Sequence, residues 1–181
     1  MTKASLAQLS PPRGEDIMSQ LKQAGVGIVV SVPDIVTSDG LLWPISTHPD
    51  FRLIRVCKED EGVSICAALS YSNTRAVLLM QQTGLMDSLN AIRAIAMDYH
   101  QPVCMIVGLQ GKAATETAAE SASYGVRIIP PILDAMALKY IGIDSRDDTT
   151  KISPAIDNAY QSGDALCFLV GQPPVFDRGR I

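Results

Sequence analysis

The sequence predicts an α/β protein built on a doubly wound, mostly parallel sheet with helices on both faces. Continuous apolar runs of strand length recur at residues 27–32, 76–80, 103–107 and 165–170, the pattern of strands buried on both faces, and residues 52–56 read as a further strand. Between them lie stretches whose apolar side chains repeat at helical spacing. Strands and helices in alternation imply right-handed crossovers, which place every strand-to-helix loop at one edge of the sheet, where ligands bind.

Taken in order, residues 1–13 end in Ser10-Pro11-Pro12-Arg13 and read as a loose arm before a domain spanning 14–172, with 173–181 as a tail. Ile17, Met18, Leu21 and Ala24 give a first helix that Gly25 ends. The run to Val32 is the first strand, stopped by Pro33, and a helical stretch carrying Trp43 follows over residues 35–45. The second strand feeds Glu59-Asp60-Glu61-Gly62, after which Val63, Ala67 and Ser70 recur at helical spacing as a closely packed helix of small residues. After the third strand, Leu89, Ile92, Ala96 and Met97 form the inner stripe of another helix. Residues 113–123 read as helix or loop, 126–129 as a short strand, 131–140 as a helix with Pro in its first turn, and 153–161 as a helix before the last strand.

The chain has 181 residues, 47% hydrophobic and 19% charged, enough for one substantial core and too apolar for disorder. A net charge of −4 without a cluster of Lys and Arg argues against a nucleic-acid surface. Cys57, Cys66, Cys104 and Cys167 lack C-x-x-C spacing, and three of them sit in apolar runs as small hydrophobes, as expected of reduced thiols in a cytoplasm. The N-terminus lacks the apolar core of a signal peptide, and no apolar run approaches the ~20 residues of a membrane span, so a soluble, non-exported protein is expected.

Gly25-Val26-Gly27 precedes its strand and lacks a third glycine, so it is no dinucleotide fingerprint. His48 and His100 are too few for a histidine triad or metal site. Three strand-end loops stand out: Ser31-Val32-Pro33-Asp34, Glu59 to Gly62, and Gln82-Thr83-Gly84-Leu85. Each has an ordinary structural use. Asp34 can cap a helix, Gly84 can make a tight turn, and first-turn acids complement the helix dipole by about 0.3–1 kcal/mol each. The alternative use is that Glu61 presents a carboxyl group to a ligand in a dry place. Apolar surroundings would raise its pKa and the helix start would lower it, so that a proton could be shared at neutral pH. The acidic run is expected to be the one place where charge is aimed at the interior.

Ser31-Val32-Pro33, Lys58-Glu59-Asp60-Glu61-Gly62-Val63 and Met80-Gln81-Gln82-Thr83-Gly84-Leu85 with Ser88-Leu89-Asn90-Ala91 resemble, in order and spacing, the pyrimidine-binding half of thiamin diphosphate dependent 2-oxo acid decarboxylases. Over residues 14–172 the chain resembles the sulfopyruvate decarboxylase alpha subunit and the N-terminal domain of phosphonopyruvate decarboxylase within that family. The resemblance implies that Glu61 is the acid that hydrogen-bonds the aminopyrimidine ring nitrogen. This favours the tautomer that deprotonates the thiazolium carbon, which then attacks the ketone of a 2-oxo acid and releases carbon dioxide, with the protein supplying orientation and a dry site. By the same resemblance Gln82, Thr83, Gly84 and Leu85 lie against the cofactor, Asp34 sits near the reacting carbon, and Pro33, Asp34, Met86 and Gln110 face the substrate.

The family's Gly-Asp-Gly and distal Asn, which hold Mg2+ and the diphosphate, have no match here, and Ser38-Asp39-Gly40 lacks the first glycine. The resemblance therefore implies a separate beta-type subunit carrying that half, in a hetero-oligomer with at least two copies of each chain and active sites at the junction. Two departures bear on the substrate. Met86-Asp87 stands where the family usually has Gly-Asn, and Gly108-Leu109-Gln110-Gly111 lacks the Arg or His that relatives place there for a sulfonate or phosphonate. A less anionic 2-oxo acid, or a carboligation, is the expectation. A non-catalytic partner module that keeps the fold and a flavodoxin-like nucleotide or flavin binder remain as other readings.

Overall fold

The computed structural model describes residues 10–177, so the expected loose arm falls mostly outside the described residues, as does the end of the expected tail. A single six-stranded sheet runs β2-β1-β3-β4-β6-β5. Its strands are β1 (Ile28–Ser31), β2 (Arg52–Arg55), β3 (Ala76–Gln81), β4 (Cys104–Gly108), β5 (Lys139–Ile143) and β6 (Leu166–Val170). Every pairing is parallel. The doubly wound α/β fold expected from the apolar runs is the one observed.

Alternate residues of each strand serve opposite faces. Val29, Val77, Leu79, Ile106 and Phe168 pack with α1 (Gly14–Gln23), with Leu41, Leu42 and Ile45, and with α8 (Ile152–Ser162). Val30, Leu78, Met80, Met105 and Leu169 pack with α3 (Glu59–Tyr71), with Ile92 and Ala96 of the π-helical segment that continues α5 (Leu89–Ala91), and with Ile129 and Leu133. β4 and β6 are buried at every residue, whereas β2 and β5 are the edges and half exposed. The hydrophobic signal of the central strands was therefore continuous and that of the edges diluted.

The structure corrects the expected secondary structure in three places and decides between helix and loop in a fourth. Residues 35–45 are not one helix: a π-helical turn, Ser38–Leu42, leads into a short α2 (Trp43–Thr47) with Pro44 near its start. Residues 126–129 are not a strand. Val126 and Ile129 are both buried, a spacing of three, within α6 (Tyr124–Arg127) and α7 (Ile129–Ala135). The helix expected to reach residue 140 stops at Ala135, with Ala137 in the left-handed region at φ 53°, and residues 139–143 form β5. That strand has only one neighbour, β6, and contains Lys139 and Gly142, so its apolar alternation is faint. Residues 113–123 are turns around a short 3-10 segment, Ala118–Glu120.

The two ends of the described chain meet. Val175 N–H donates to Pro12 C=O at 3.0 Å, and Gly14 N–H donates to Val175 C=O at 2.9 Å. Among the described residues no helix is long and apolar enough to cross a membrane. Burial holds the Cys66 and Cys104 thiols protonated, with pKa values pushed up to about 12, so they pack as hydrophobes.

Candidate functional site

The chain leaves β1 for β2 on one side and returns to β3 on the other. At such a switch point the loops after the two inner strands diverge and leave a crevice outside their carboxyl ends. The three loops singled out in the sequence all open on this edge: residues 32–37 after β1, 56–58 after β2, and α4 (Gln82–Asp87) directly after β3.

Glu61 owes its place to its neighbour. Gly62 is buried against Leu78, and a Cβ there would overlap the leucine methyl groups, so only glycine brings the start of α3 this close to β3. Glu61 is exposed, and its Oε2 accepts hydrogen bonds from the Cys57 and Lys58 N–H groups at 3.0 and 3.3 Å. This is half of a capping box; the other half is missing, because a lysine ammonium cannot accept from the N3 amide. Asp60 accepts from the Glu61 N–H at 2.9 Å. Glu61 thus faces outward from the helix start, and the expectation that the acidic run is aimed at the interior is corrected for this residue: the helix dipole and the Cys57 and Lys58 amides hold its carboxylate at the surface.

The buried acid is instead Asp34, 5% exposed. Its Oδ1 accepts from the Val36 and Thr37 N–H groups at 2.7 and 2.9 Å, and its Oδ2 accepts from the Thr37 hydroxyl. It lies against Gly108 at the end of β4, where a Cβ would come within 2.6 Å of Oδ1 and 2.8 Å of the Val36 Cβ. Burial pushes the Asp34 carboxyl above its ordinary range, while the Thr37 and Val36 hydrogen bonds pull the other way. A raised folded-state pKa means that the folded protein holds the proton more tightly. Asp34 therefore favours folding below the ordinary carboxyl pKa, and this contribution is lost as pH rises through the raised value. The difference in unfolding free energy between the protein and D34N should accordingly decline with rising pH across that interval. Urea titrations at several pH values measure it, and a difference that grows with pH contradicts the assignment.

α4 ties the loops together. Gln82, 4% exposed, accepts from the Gln110 N–H at 2.8 Å and donates to the Gln110 C=O at 3.1 Å, which uses both ends of its amide. Thr83 is exposed, with its hydroxyl accepting from the Gln81 amide at 3.0 Å. Gly84 is buried beneath the Glu59 side chain, and Leu85 is in the core. Met86, 37% exposed, faces outward, as do Pro33 and Gln110. The structure thus pairs Gln82 with Gln110, Gly84 with Glu59 and Asp34 with Gly108, and the loops that carry them open on the same sheet edge as Glu61.

Glu59 and Gly108 were missed in the sequence because their roles depend on partners more than twenty residues away. So was Lys112, whose side chain is 1% exposed and whose Nζ lies 2.9 Å from Asp144 Oδ1 after β5. A cation does follow the fourth strand, then, but it is committed to a carboxylate. Among the described residues no group of three or more His, Cys, Asp or Glu side chains could hold a metal ion.

Fold and edge define the class: a parallel α/β protein with acids and a glycine-bearing turn at its topological switch point. Comparison with known proteins narrows it. The chain is similar to the alpha subunit of sulfopyruvate decarboxylase from Methanothermobacter thermautotrophicus, 31% identical over 97 residues, which are 54% of this chain and 58% of that one. It is also similar to the same subunit from Methanococcus maripaludis, 28% identical over 106 residues, 59% of this chain and 63% of that one. A sulfopyruvate decarboxylase from Methanosarcina acetivorans is 23% identical over 151 residues, which are 82% of this chain but 37% of that longer protein. In each case the match spans less than two thirds of the relative's own length. No protein-family model matches the chain. The resemblance noted in the sequence is borne out as a similarity: the chain is like sulfopyruvate decarboxylase alpha subunits over somewhat more than half of its length.

Proposed function

We propose that the chain is the alpha-type subunit of a thiamin diphosphate dependent decarboxylase of 2-oxo acids, active with a companion subunit. The observation that carries this is that the exposed Glu61 carboxylate at the start of α3 after β2 and Gly84 of α4 after β3, covered only by the Glu59 side chain among its nearest neighbours, open on one sheet edge. A planar ring needs such a glycine surface to lie on and a carboxyl group beside it. The residues fit the aminopyrimidine end of the cofactor, with Glu61 toward the ring nitrogen and Thr83, Gly84 and Leu85 against the ring. The diphosphate and Mg2+ we assign to the companion, by the resemblance to a family whose other half carries the Gly-Asp-Gly and distal Asn that this sequence does not match. The name subunit alpha carried by two relatives and the longer single chain of the third support such a companion.

When bound, the cofactor supplies the electron sink that lets the carboxylate of a 2-oxo acid leave as carbon dioxide. The chain's own tasks are to present the Glu61 carboxyl group to the ring nitrogen, to seat the ring on Gly84, and to keep that edge dry once the companion covers it. Exposure of Glu61 in the single chain accords with a site completed only at a junction. Asp34, already capped by Thr37 and Val36, supports the loop after β1 from below. Gln82 serves through Gln110, holding the β3 and β4 loops in register. Because Lys112 is taken up by Asp144, an anionic substrate tail finds no spare charge from that lysine, which favours a 2-oxo acid with an uncharged tail.

Purification of the tagged chain with its companion, followed by carbon dioxide release with thiamin diphosphate and Mg2+, tests the proposal. Turnover of an uncharged 2-oxo acid at least equal to that of sulfopyruvate is expected. A strong preference for sulfopyruvate overturns the substrate assignment, and release that does not depend on thiamin diphosphate overturns the function.

A further inference from the structure

The three acids at the start of α3 are not equivalent. Glu61 caps the Cys57 and Lys58 amides and Asp60 caps Glu61. For Glu59, among the described residues, no hydrogen bond or ion pair to its side chain is formed. Its half-buried carboxyl group lies instead across the bare Cα of Gly84, where a Cβ would overlap its Cγ, Cδ and Oε1 together.

We propose that Glu59 is a placeholder on the Gly84 ledge, occupying in the single chain the seat of the aminopyrimidine ring, and that the cofactor must displace it to bind. The inference rests on the proposed function, which identifies Gly84 as that seat. A carboxyl group is flat, as the ring is, and the two cannot share one glycine surface. Displacement breaks no hydrogen bond to Glu59, so it costs only the van der Waals contact with Gly84. Held there, Glu59 covers a buried glycine and keeps the turn between β3 and α4 from exposing its backbone before the cofactor arrives. It is a positioning residue, acting through Gly84, and it takes no part in proton transfer.

Removing a placeholder tightens ligand binding, whereas removing a structural clamp or a ligand contact weakens it. If the ledge stands open in about 10–30% of molecules, the apparent Kd is raised by the inverse of that fraction, and E59A should tighten thiamin diphosphate binding about three- to tenfold. Calorimetric titration of thiamin diphosphate with Mg2+ into the assembly formed with the companion measures this. E59Q, which keeps the shape and loses the charge, should stay within about twofold of the original protein. Thermal unfolding of each variant checks that the assembly is intact. Unchanged or weaker binding by E59A, or equal tightening by E59Q, overturns the placeholder while leaving the proposed function standing. Failure of the original assembly to take up thiamin diphosphate overturns both.

Discussion

E61Q, assayed in the assembly with its companion, thiamin diphosphate and Mg2+, is expected to lose carbon dioxide release by about two to four orders of magnitude, the usual range for removing a positioned acid or base. The glutamine amide still fills the space and can still accept from the Cys57 and Lys58 N–H groups through its oxygen. It cannot give or take the proton. Stability should therefore change by no more than about 1 kcal/mol, the worth of a cap. Steady-state assays alongside urea titrations separate the two effects. Activity retained within tenfold would remove Glu61 from the chemistry and leave it as the helix cap seen here. A parallel collapse of stability and activity would assign the loss to folding instead.

Gly40→Ala is expected to cost about 3 kcal/mol or more, at the upper end for a single substitution. Three main-chain segments are stacked at this point. A Cβ on Gly14 would overlap the Gly40 carbonyl oxygen, and a Cβ on Gly40 would overlap the Pro174 carbonyl group, with Pro174 Cα at 3.2 Å. Every obstacle is backbone, so no side chain can rotate away. The strain would fall on the junction of α1, the π-helical turn and the residues that follow β6, which the Pro12, Gly14 and Val175 hydrogen bonds hold together. Gly125→Ala makes the contrast. Its Cβ would meet nothing within 4 Å and it lies in α6, so there the substitution should be neutral or stabilising by about 0.5–1 kcal/mol. Denaturation midpoints for the two variants decide the matter, and comparable values would mean that the stack relaxes more readily than its backbone contacts imply.

Much of the fold was legible because its strongest signals are local. β1, β3, β4 and β6 are continuous apolar runs, and their burial on both faces is the direct consequence. Helices α1, α3 and α8 followed from apolar spacing. The misses share a cause. β5 is an edge strand with a lysine and a glycine in it, and residues 124–135 make two short helices with apolar side chains three apart, so neither leaves a clean period in a short window. The π-helical turn at Ser38–Leu42 packs Gly40 against the Pro174 backbone, about 130 residues away, a contact that no local pattern encodes.

For the site, the sequence by itself determined which loops carry it: the order of strands and helices obliges residues 31–34, 59–62 and 82–85 to share one edge, because right-handed crossovers permit no other arrangement. It also determined that three acids begin α3, since a glycine and small residues follow them. Only the tertiary structure decided what each side chain does there. Asp34 is buried because β4 ends in Gly108 beside it, Gln82 is spent on the Gln110 backbone, Lys112 is neutralised by Asp144, and Glu59 rather than Glu61 rests on Gly84. Residue order sets where a loop must lie, but burial and hydrogen-bond partners arise between segments far apart in the chain and exist only once those segments are packed.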